Sequence, residues 1–187
     1  MSVEMEPRDT GAVVVLPGHE RVRIRPLGFC EDGPIRSLDR RLSTRTRYLR
    51  FFSPMPALSD SLVEMLACVD GRRRLALVAE RERDGAVEVV GLANFGAIDD
   101  ETAEFGIVVQ DDWQRRGLGT ALLDWLLRAA ADRGFERFVA HVLTENWVIR
   151  KLLKRFGRIT HGRVSYGVAE LAFLPTGAHD RSCERID

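Results

Sequence analysis

The segment of residues 108–127, VVQDDWQRRGLGTALLDWLL, combines residue types that suit phosphate binding. Gly117 and Gly119 stand where an apolar strand gives way to an amphipathic helix, although glycine weakens helices. The first N–H groups of a helix are unpaired and carry partial positive charge, and glycines let a phosphate approach them closely. Arg115 and Arg116 add positive charge. The segment therefore predicts a phosphate-binding loop, with a tight strand-to-helix turn as the alternative.

Periodicity along the rest of the chain predicts strands and helices that position this loop. Strands are expected at 21–27, 73–81, 86–98, 103–109 and 137–143, with a last pair between 158 and 174. Helices are expected at 29–43, 45–52, 61–70, 117–133 and 145–156. No repeat or linker interrupts the pattern, so we predict one α/β domain at 19–174, between a flexible N-terminus at 1–18 and a flexible tail at 175–187.

Composition argues against several classes of partner. Lys and Arg number 28, as do Asp and Glu, so no global field attracts nucleic acid or a membrane. No apolar run approaches the roughly 18 residues that a membrane span needs. Cys30, Cys68 and Cys183 are far apart and lack metal-ligand spacing, which indicates reduced thiols, with Cys30 and Cys68 in packing positions. We therefore expect a soluble cytoplasmic protein without a metal, either a monomer or a homodimer.

The stretch QRRGLG, residues 114–119, resembles the Q/R-x-x-G-x-G/A signature of the GNAT acyltransferase superfamily. Later segments agree with this resemblance, namely the strand RFVAHVL, Asn146 at a helix start, and LLKRFG at its end. Neither the Walker A motif nor the dinucleotide fingerprint fits. The resemblance covers roughly residues 21–174. It implies the α/β GNAT fold, with a mixed, mostly antiparallel central sheet whose strands splay and are flanked by helices.

In that superfamily the loop holds the pyrophosphate of acetyl-CoA, the co-substrate, and the preceding strand pairs with its pantetheine arm. The resemblance therefore implies these acetyl-CoA-binding residues: Ile107, Val108, Val109, Gln114, Arg115, Arg116, Gly117, Leu118, Gly119, Thr120 and Asn146. A plain helix cap is an equally good role for Asn146. Arg150, Lys151 and Lys154 are candidates for the 3′-phosphate, or they form a solvated basic helix end.

Acetyl transfer to an amine requires a proton acceptor, because a lysine amine has a pKa of roughly 10.4. Protein-lysine acetyltransferases of this superfamily carry a glutamate on the strand before the loop, which implies that Glu104 is the catalytic base. A solvated glutamate at a strand edge is the alternative role. Glu101 is the next candidate, and Asp99 and Asp100 are weaker ones.

One feature of the superfamily is missing from this chain. Many members carry a tyrosine seven residues after the position of Asn146, where it protonates the leaving thiolate, but here that position is Leu153. We therefore expect water to protonate the thiolate. His141 and His161 are alternative bases, although an isolated histidine on a strand is more typical of a structural or surface position.

The segment STRTRYLRFFSPMPALSD, residues 43–60, resembles the bacterial Pat-type protein-lysine acetyltransferases. Some of these are fused to a cyclic-nucleotide-binding domain, which this chain is expected to lack. The resemblance implies a protein substrate with an exposed lysine, such as an acyl-CoA synthetase, and acceptor contacts from Arg47 and Tyr48. A short buried helix with solvated arginines is the alternative. Small-molecule or N-terminal acetyltransferases and a non-catalytic acyl-CoA-binding regulator are the rival functions.

Overall fold

Eight strands of the computed structural model, which describes residues 11–176, form a single sheet in the order β1-β2-β3-β4-β5-β6-β8-β7. The strands are Ala12–Val15 (β1), Arg21–Pro26 (β2), Arg74–Arg83 (β3), Ala86–Ala97 (β4), Thr102–Val109 (β5), Arg137–Leu143 (β6), Gly157–Ser165 (β7) and Val168–Pro175 (β8). The helices are Gly33–Asp39 (α1), Thr44–Phe51 (α2), Asp60–Ala67 (α3), Leu118–Ala131 (α4) and Trp147–Phe156 (α5). This arrangement confirms the predicted α/β class.

The sheet is antiparallel except where β5 meets β6. These two strands run parallel and pair only over Thr102–Glu104 with Arg137–Val139. Beyond Glu104 the described pairing stops, while β5 continues alongside β4 as far as Val109. The two strands therefore diverge and leave an opening in the middle of the sheet, as the mixed, splayed sheet of the prediction requires.

Hydrophobic side chains cover both faces of the sheet. On β3, Leu75 and Leu77 belong to the core beneath α4, whereas the intervening Ala76 belongs to the core beneath α1 and α3. This alternation follows from the two-residue period of a strand. Helix α4 supplies a buried apolar stripe that includes Leu122 and Leu126. Because α4 is packed so firmly, the loop that precedes it has a fixed anchor.

The N-terminal half differs from the prediction in one added strand and in shorter helices, since α1 ends at Asp39 instead of residue 43 and α3 at Ala67 instead of residue 70. The sequence predicts no element before residue 19, but Ala12–Val15 form β1 and pair with β2. Helix α1 begins at Gly33 instead of residue 29, because Pro34 favours the first helical turn, where its missing N–H costs nothing. Residues 1–10 and 177–187 of the predicted flexible ends lie outside the described residues, and the domain limits stay predictions.

Cys30 and Cys68 are exposed free thiols, so their predicted packing role is wrong. The later start of α1 leaves Cys30 in a turn with a φ of +56°, and Cys68 lies just past the end of α3. Cys183 lies outside the described residues. No helix in the described part of the chain is long and apolar enough to cross a membrane.

Candidate active site

The divergence of β5 and β6 opens a cavity of about 410 Å³ between β5, α2, α5 and the loop before α4. Seven of the predicted cofactor-binding residues line it: Ile107, Val108, Val109, Gln114, Arg115, Gly119 and Asn146. A second cavity of about 60 Å³ shares part of this lining and extends to His141 on β6. The strand and the loop are consecutive in sequence, whereas α2 and Asn146 are distant from them, and the fold brings all of these to one cleft.

Glycine suits the two loop positions for different structural reasons. Gly117 has a φ of +89°, in the left-handed region that favours glycine, and a Cβ there would come within 2.9 Å of Pro17. Gly119 has ordinary helical geometry, and a Cβ there would lie 3.8 Å from Val109, which is normal contact. Gly117 thus serves the tight turn, whereas Gly119 lines the cavity.

The remaining predicted loop residues turn their side chains away from the cavity. Arg116 lies 3.7 Å from Glu20 and over the ring of Trp113, and Leu118 is fully buried in the core. Thr120 is half-buried in the first turn of α4 and does not line the cavity. What these residues offer to a phosphate is the backbone, since the first N–H groups of a helix have no partner within it.

Asn146 combines both of its predicted positions. Its side-chain oxygen accepts a hydrogen bond from the Ile149 N–H at 3.4 Å, which caps α5, and the residue also lines both cavities. Next to it, the lining of the larger cavity includes Trp147, which is 67% exposed. The basic residues of α5, Arg150, Lys151 and Lys154, are exposed and line neither cavity.

Helix α2 presents a different set of residues to the cleft than the sequence suggested. Arg47 is buried in an ion pair with Asp39, at 2.7 Å, with side chains only 8% and 10% exposed. It therefore joins α2 to α1 and does not reach the acceptor cleft. Tyr48 is half-buried and lines neither cavity. The cavity face of α2 consists of Thr46, Leu49 and Arg50, at the i, i+3, i+4 spacing of one helix face.

Arg50 places a positive charge in the cleft. The site predicted from the sequence did not include this residue. Its guanidinium donates to the Asn94 side-chain oxygen at 2.9 Å and lies over Gly106, where a Cβ would overlap it. Burial lowers the pKa of the Arg50 guanidinium to about 10, against the opposing effect of the Glu104 charge. At neutral pH the group remains protonated, so it brings positive charge to both cavities.

Glu104 occupies the last paired position of β5 before the strands diverge. Its neighbours Phe105 and Gly106 line the smaller cavity. The Glu104 side chain is 52% exposed, and one carboxylate oxygen lies 3.0 Å from Nδ1 of His141. A partly hydrated carboxylate at this vertex can accept a proton from a group that enters the cleft.

The other candidate carboxylates have structural contacts outside the cavities. Glu101 pairs with Arg137 at 2.7 Å, and Asp100 pairs with Arg73 at 2.8 Å. Asp99 accepts backbone N–H groups in the turn before β5, and the hydrogen bond from Glu101 holds the pKa of the Asp99 carboxyl below its ordinary value. Neither these three residues nor Glu104 lines a cavity, but only Glu104 among the four is paired with a lining residue, His141 of the smaller cavity.

A hydrogen-bonded bridge joins α2 to the loop before α4. Asp111 accepts from Ser43 Oγ at 2.6 Å and from Thr46 Oγ1 at 2.8 Å, and Gln114 donates to Thr46 Oγ1 and to the Val109 carbonyl, both at 3.1 Å. Burial acts to raise the pKa of the Asp111 carboxyl, but these hydrogen bonds outweigh it and hold that pKa below its ordinary value. The bridge therefore ties α2 to the loop, and Thr46 and Gln114 of the bridge both line the larger cavity.

Helix α5 supplies no acid to the cleft. Leu153 is fully buried in the core, and its neighbour Leu152 is the residue that faces the cavity. His161 is exposed on β7, opposite Ala172, and lines neither cavity. Among the described residues, no group of three or more His, Cys, Asp or Glu side chains is arranged to hold a metal ion.

Comparisons of the sequence with known proteins identify one family. The model of the Acetyltransferase (GNAT) family matches residues 42–157. Acetyltransferase Pat of Mycolicibacterium smegmatis is 42% identical over 57 residues, which are 30% of this chain and 17% of that protein.

Two solved structures extend the likeness over most of the chain. The GNAT domain of S. lividans PAT is 28% identical, with a TM-score of 0.77 over 91% of this chain and 99% of that one. A cAMP-binding acyltransferase from Mycobacterium smegmatis is 26% identical, with a TM-score of 0.59 over 89% of this chain. The match covers 48% of that acyltransferase, so this chain spans about half of its length.

Proposed function

Because the chain belongs to the GNAT acetyltransferase family and is close to the Pat acetyltransferases, we propose that it transfers the acetyl group of acetyl-CoA to a protein lysine. The observation that carries this proposal is the position of Glu104. The carboxylate stands at the vertex where β5 leaves β6, next to the smaller cavity, and that cavity shares part of its lining with the larger cavity, which the loop before α4 lines. A proton acceptor and a binding site for acetyl-CoA thus share one cleft. We propose that the protein acts in the cytoplasm.

The donor side of the mechanism relies on backbone groups. The pyrophosphate of acetyl-CoA binds the free N–H groups at the start of α4, where Gly119 leaves the cavity open. The pantetheine arm lies along Ile107, Val108 and Val109, in the place that β6 vacates. The thioester then comes to lie near the vertex, within reach of an acceptor that enters past Glu104.

The chemical step begins when Glu104 takes a proton from the acceptor ammonium. The freed amine attacks the thioester carbonyl carbon, and the carbon–nitrogen bond forms as negative charge develops on the oxygen. The Val109 N–H is our candidate donor to this oxygen, and the Arg50 cation adds favourable charge in the same cleft. The carbon–sulfur bond then breaks. As it breaks, the nitrogen loses its second proton, and water carries that proton to the leaving thiolate, because Leu153 is apolar and buried and offers no acid.

A protein acceptor is supported by three observations. Residues 43–60 resemble the Pat-type enzymes, and the structure is similar to S. lividans PAT over nearly all of both chains. The half-exposed Glu104 is also accessible to a lysine side chain that projects from a large molecule. A lysine side chain is long enough to bring its amine to a carboxylate at the cleft while the rest of the acceptor stays outside.

Labelling of a cell lysate tests the proposal. The chain is incubated with acetyl-CoA labelled in the acetyl group, with Glu104→Gln as the matched control for uncatalysed acetylation of lysines. Label on protein lysines above the control supports the proposal. Label confined to small molecules, or tight acetyl-CoA binding without any transfer, would overturn it in favour of a small-molecule acetyltransferase or an acyl-CoA-binding regulator.

A further inference from the structure

His141 lies between two carboxylates beside the smaller cavity. Its Nδ1 is 3.0 Å from Oε1 of Glu104, and its Nε2 is 3.5 Å from Oε2 of Glu170. The Glu170 side chain is 48% exposed, whereas that of His141 is 34% exposed. The three side chains therefore form a row that runs from the cleft vertex towards water.

The sheet register produces this row. His141 on β6 is the direct partner of Glu170 on β8, and side chains of directly paired residues lie on the same face. Glu104 on β5 is the partner of Val139, two residues before His141 on the same strand. Residues two apart on a strand point to the same face, so Glu104 reaches His141 from the other side. Each carboxylate meets a different ring nitrogen.

A general base at this position has to lose the proton that it gains in each cycle. If the proton stays on Glu104, that carboxyl cannot take a proton from the next acceptor. An imidazole can accept a proton at one nitrogen and release another from the other nitrogen. The geometry of the row meets both requirements, because one nitrogen faces the base and the other faces an exposed carboxylate.

We propose that His141 and Glu170 form a proton path from Glu104 to solvent, an inference that rests on the proposed function. Glu104 receives one proton from the acceptor ammonium and passes it to Nδ1 of His141. The ring releases the proton on Nε2 to Glu170, and Glu170 gives it to water. One proton enters the row and one leaves it, which returns Glu104 to its ionised state and leaves His141 as the Nδ1–H tautomer. Exchange of the ring protons with water, at a side chain that is 34% exposed, then restores the Nε2–H tautomer for the next cycle. His141 acts through Glu104 and also holds that carboxylate in place.

Other charges around the row contribute to its electrostatics. On the cleft side, the Arg50 guanidinium interacts electrostatically with Glu104. On the outer side, Glu170 is the register partner of Arg163 on β7, so a basic residue stands next to the path's exit. The path therefore begins and ends at carboxylates that have a basic neighbour.

The test compares His141→Gln and Glu170→Gln with wild type and with His161→Gln, a control on an exposed histidine outside both cavities. Glutamine at 141 can still donate a hydrogen bond to Glu104, but it cannot carry a proton. We expect kcat at pH 7 to fall about tenfold in His141→Gln, less than the roughly 10²–10⁴-fold loss of a general base. Glu170→Gln should lose less than this, and His161→Gln should match wild type. The KM for acetyl-CoA should not change.

The pH profile separates a proton path from a structural role. The deficit of His141→Gln should shrink as pH rises, because free amine and hydroxide then make the path unnecessary. A uniform loss at every pH, or wild-type kcat at pH 7, would overturn the proposal. Failure of the proposed function would differ, because the wild type itself would then transfer no acetyl group to lysine, and the proton path would fall with it.

A spectroscopic readout does not depend on turnover. In the full chain with ¹⁵N-labelled histidine, replacing Glu104 with Ala should shift the Nδ1 resonance of His141, and replacing Glu170 with Ala should shift its Nε2 resonance. The resonances of His161 serve as the internal control and should stay in place. If neither carboxylate affects the ring nitrogens of His141, the row does not exist in solution and the path is wrong.

Discussion

The two walls of the cleft are built from different kinds of group. One wall, here called the loop wall, is the side that we propose to bind acetyl-CoA. It consists of the start of α4, the edge of β5 and the open position at Gly119. On the opposite wall, Arg50 from α2 and Glu104 with His141 project side chains into or beside the cavities. In the proposed mechanism, the first wall recognises a pyrophosphate by shape and backbone, and the second performs chemistry with titratable side chains.

This difference has a consequence for mutation. A backbone site is insensitive to most side-chain changes and is damaged mainly by bulk or charge that fills it, because its N–H groups are present in every variant. A side-chain site loses its function when one charged group is replaced. Changes in the loop wall should therefore alter acetyl-CoA affinity, whereas changes at Glu104 should alter turnover.

The largest expected effect is that of Glu104→Gln. Glutamine keeps the shape of the side chain but cannot take a proton, so kcat should fall by about 10²–10⁴ at pH 7. The deficit should shrink as pH approaches the pKa of the acceptor amine, since free amine then forms without help. Steady-state kinetics across pH, with calorimetry for acetyl-CoA, would check both parts. Wild-type turnover at pH 7 would remove Glu104 from the mechanism.

Arg47→Met tests whether this part of α2 is structural. The substitution leaves the Asp39 carboxylate buried without its partner, which typically costs about 3–5 kcal/mol of folding stability. Denaturant unfolding should show this loss, and replacing Asp39 with Asn in the same chain should restore part of it. Unchanged stability together with a raised KM for the acceptor would return Arg47 to substrate binding.

Gly119→Glu should show the effect expected for a change in the loop wall, which is weaker binding of acetyl-CoA. The substitution puts a carboxylate where the pyrophosphate is proposed to bind, so acetyl-CoA affinity should fall more than tenfold, or about 1.4 kcal/mol. Gly119→Ala is the matched control, because its Cβ would lie 3.8 Å from the nearest atom and should be tolerated. Equal affinities of a folded Gly119→Glu variant and the wild type, measured by calorimetry, would contradict the loop assignment.

The smallest expected effect is that of Asn146, which lies between the two walls. Asn146→Ala removes the cap of α5 and should lower stability by about 1 kcal/mol. Asn146→Ser retains a capping oxygen and should recover most of that loss. If acetyl-CoA affinity falls in both variants while only the alanine variant is destabilised, Asn146 also contacts the pantetheine arm. If affinity follows stability, its role is confined to the cap.

The loop wall could be predicted from sequence because its parts are consecutive. The strand, the turn, the glycines and the helix follow one another within residues 103–133, and local propensity predicts each element. The roles of Arg47 and Arg50 could not be predicted, because both are arginines on one short helix. Which of them meets the cleft depends on Asp39 and Asn94, which lie on other elements.

The row of Glu104, His141 and Glu170 could not be predicted from the sequence for a related reason. His141 and Glu170 are 29 residues apart, and only the pairing of β6 with β8 makes them neighbours. The sequence suggests both strands but says nothing of their order in the sheet. The bridge through Asp111 has the same origin, because its partners lie 68 and 65 residues earlier in the chain.

That bridge also makes the two walls mechanically dependent on each other. The loop that is proposed to hold the donor and the first turn of α2 share Asp111, Gln114 and Thr46. A ligand that pulls the loop inwards must either break these hydrogen bonds or draw α2 along with it. Affinities for the two substrates are then linked, and such a linkage is reciprocal, so whichever substrate enters first alters the binding of the second by the same factor. Asp111, a carboxylate that lines neither cavity, would in this way couple the binding of one substrate to the binding of the other.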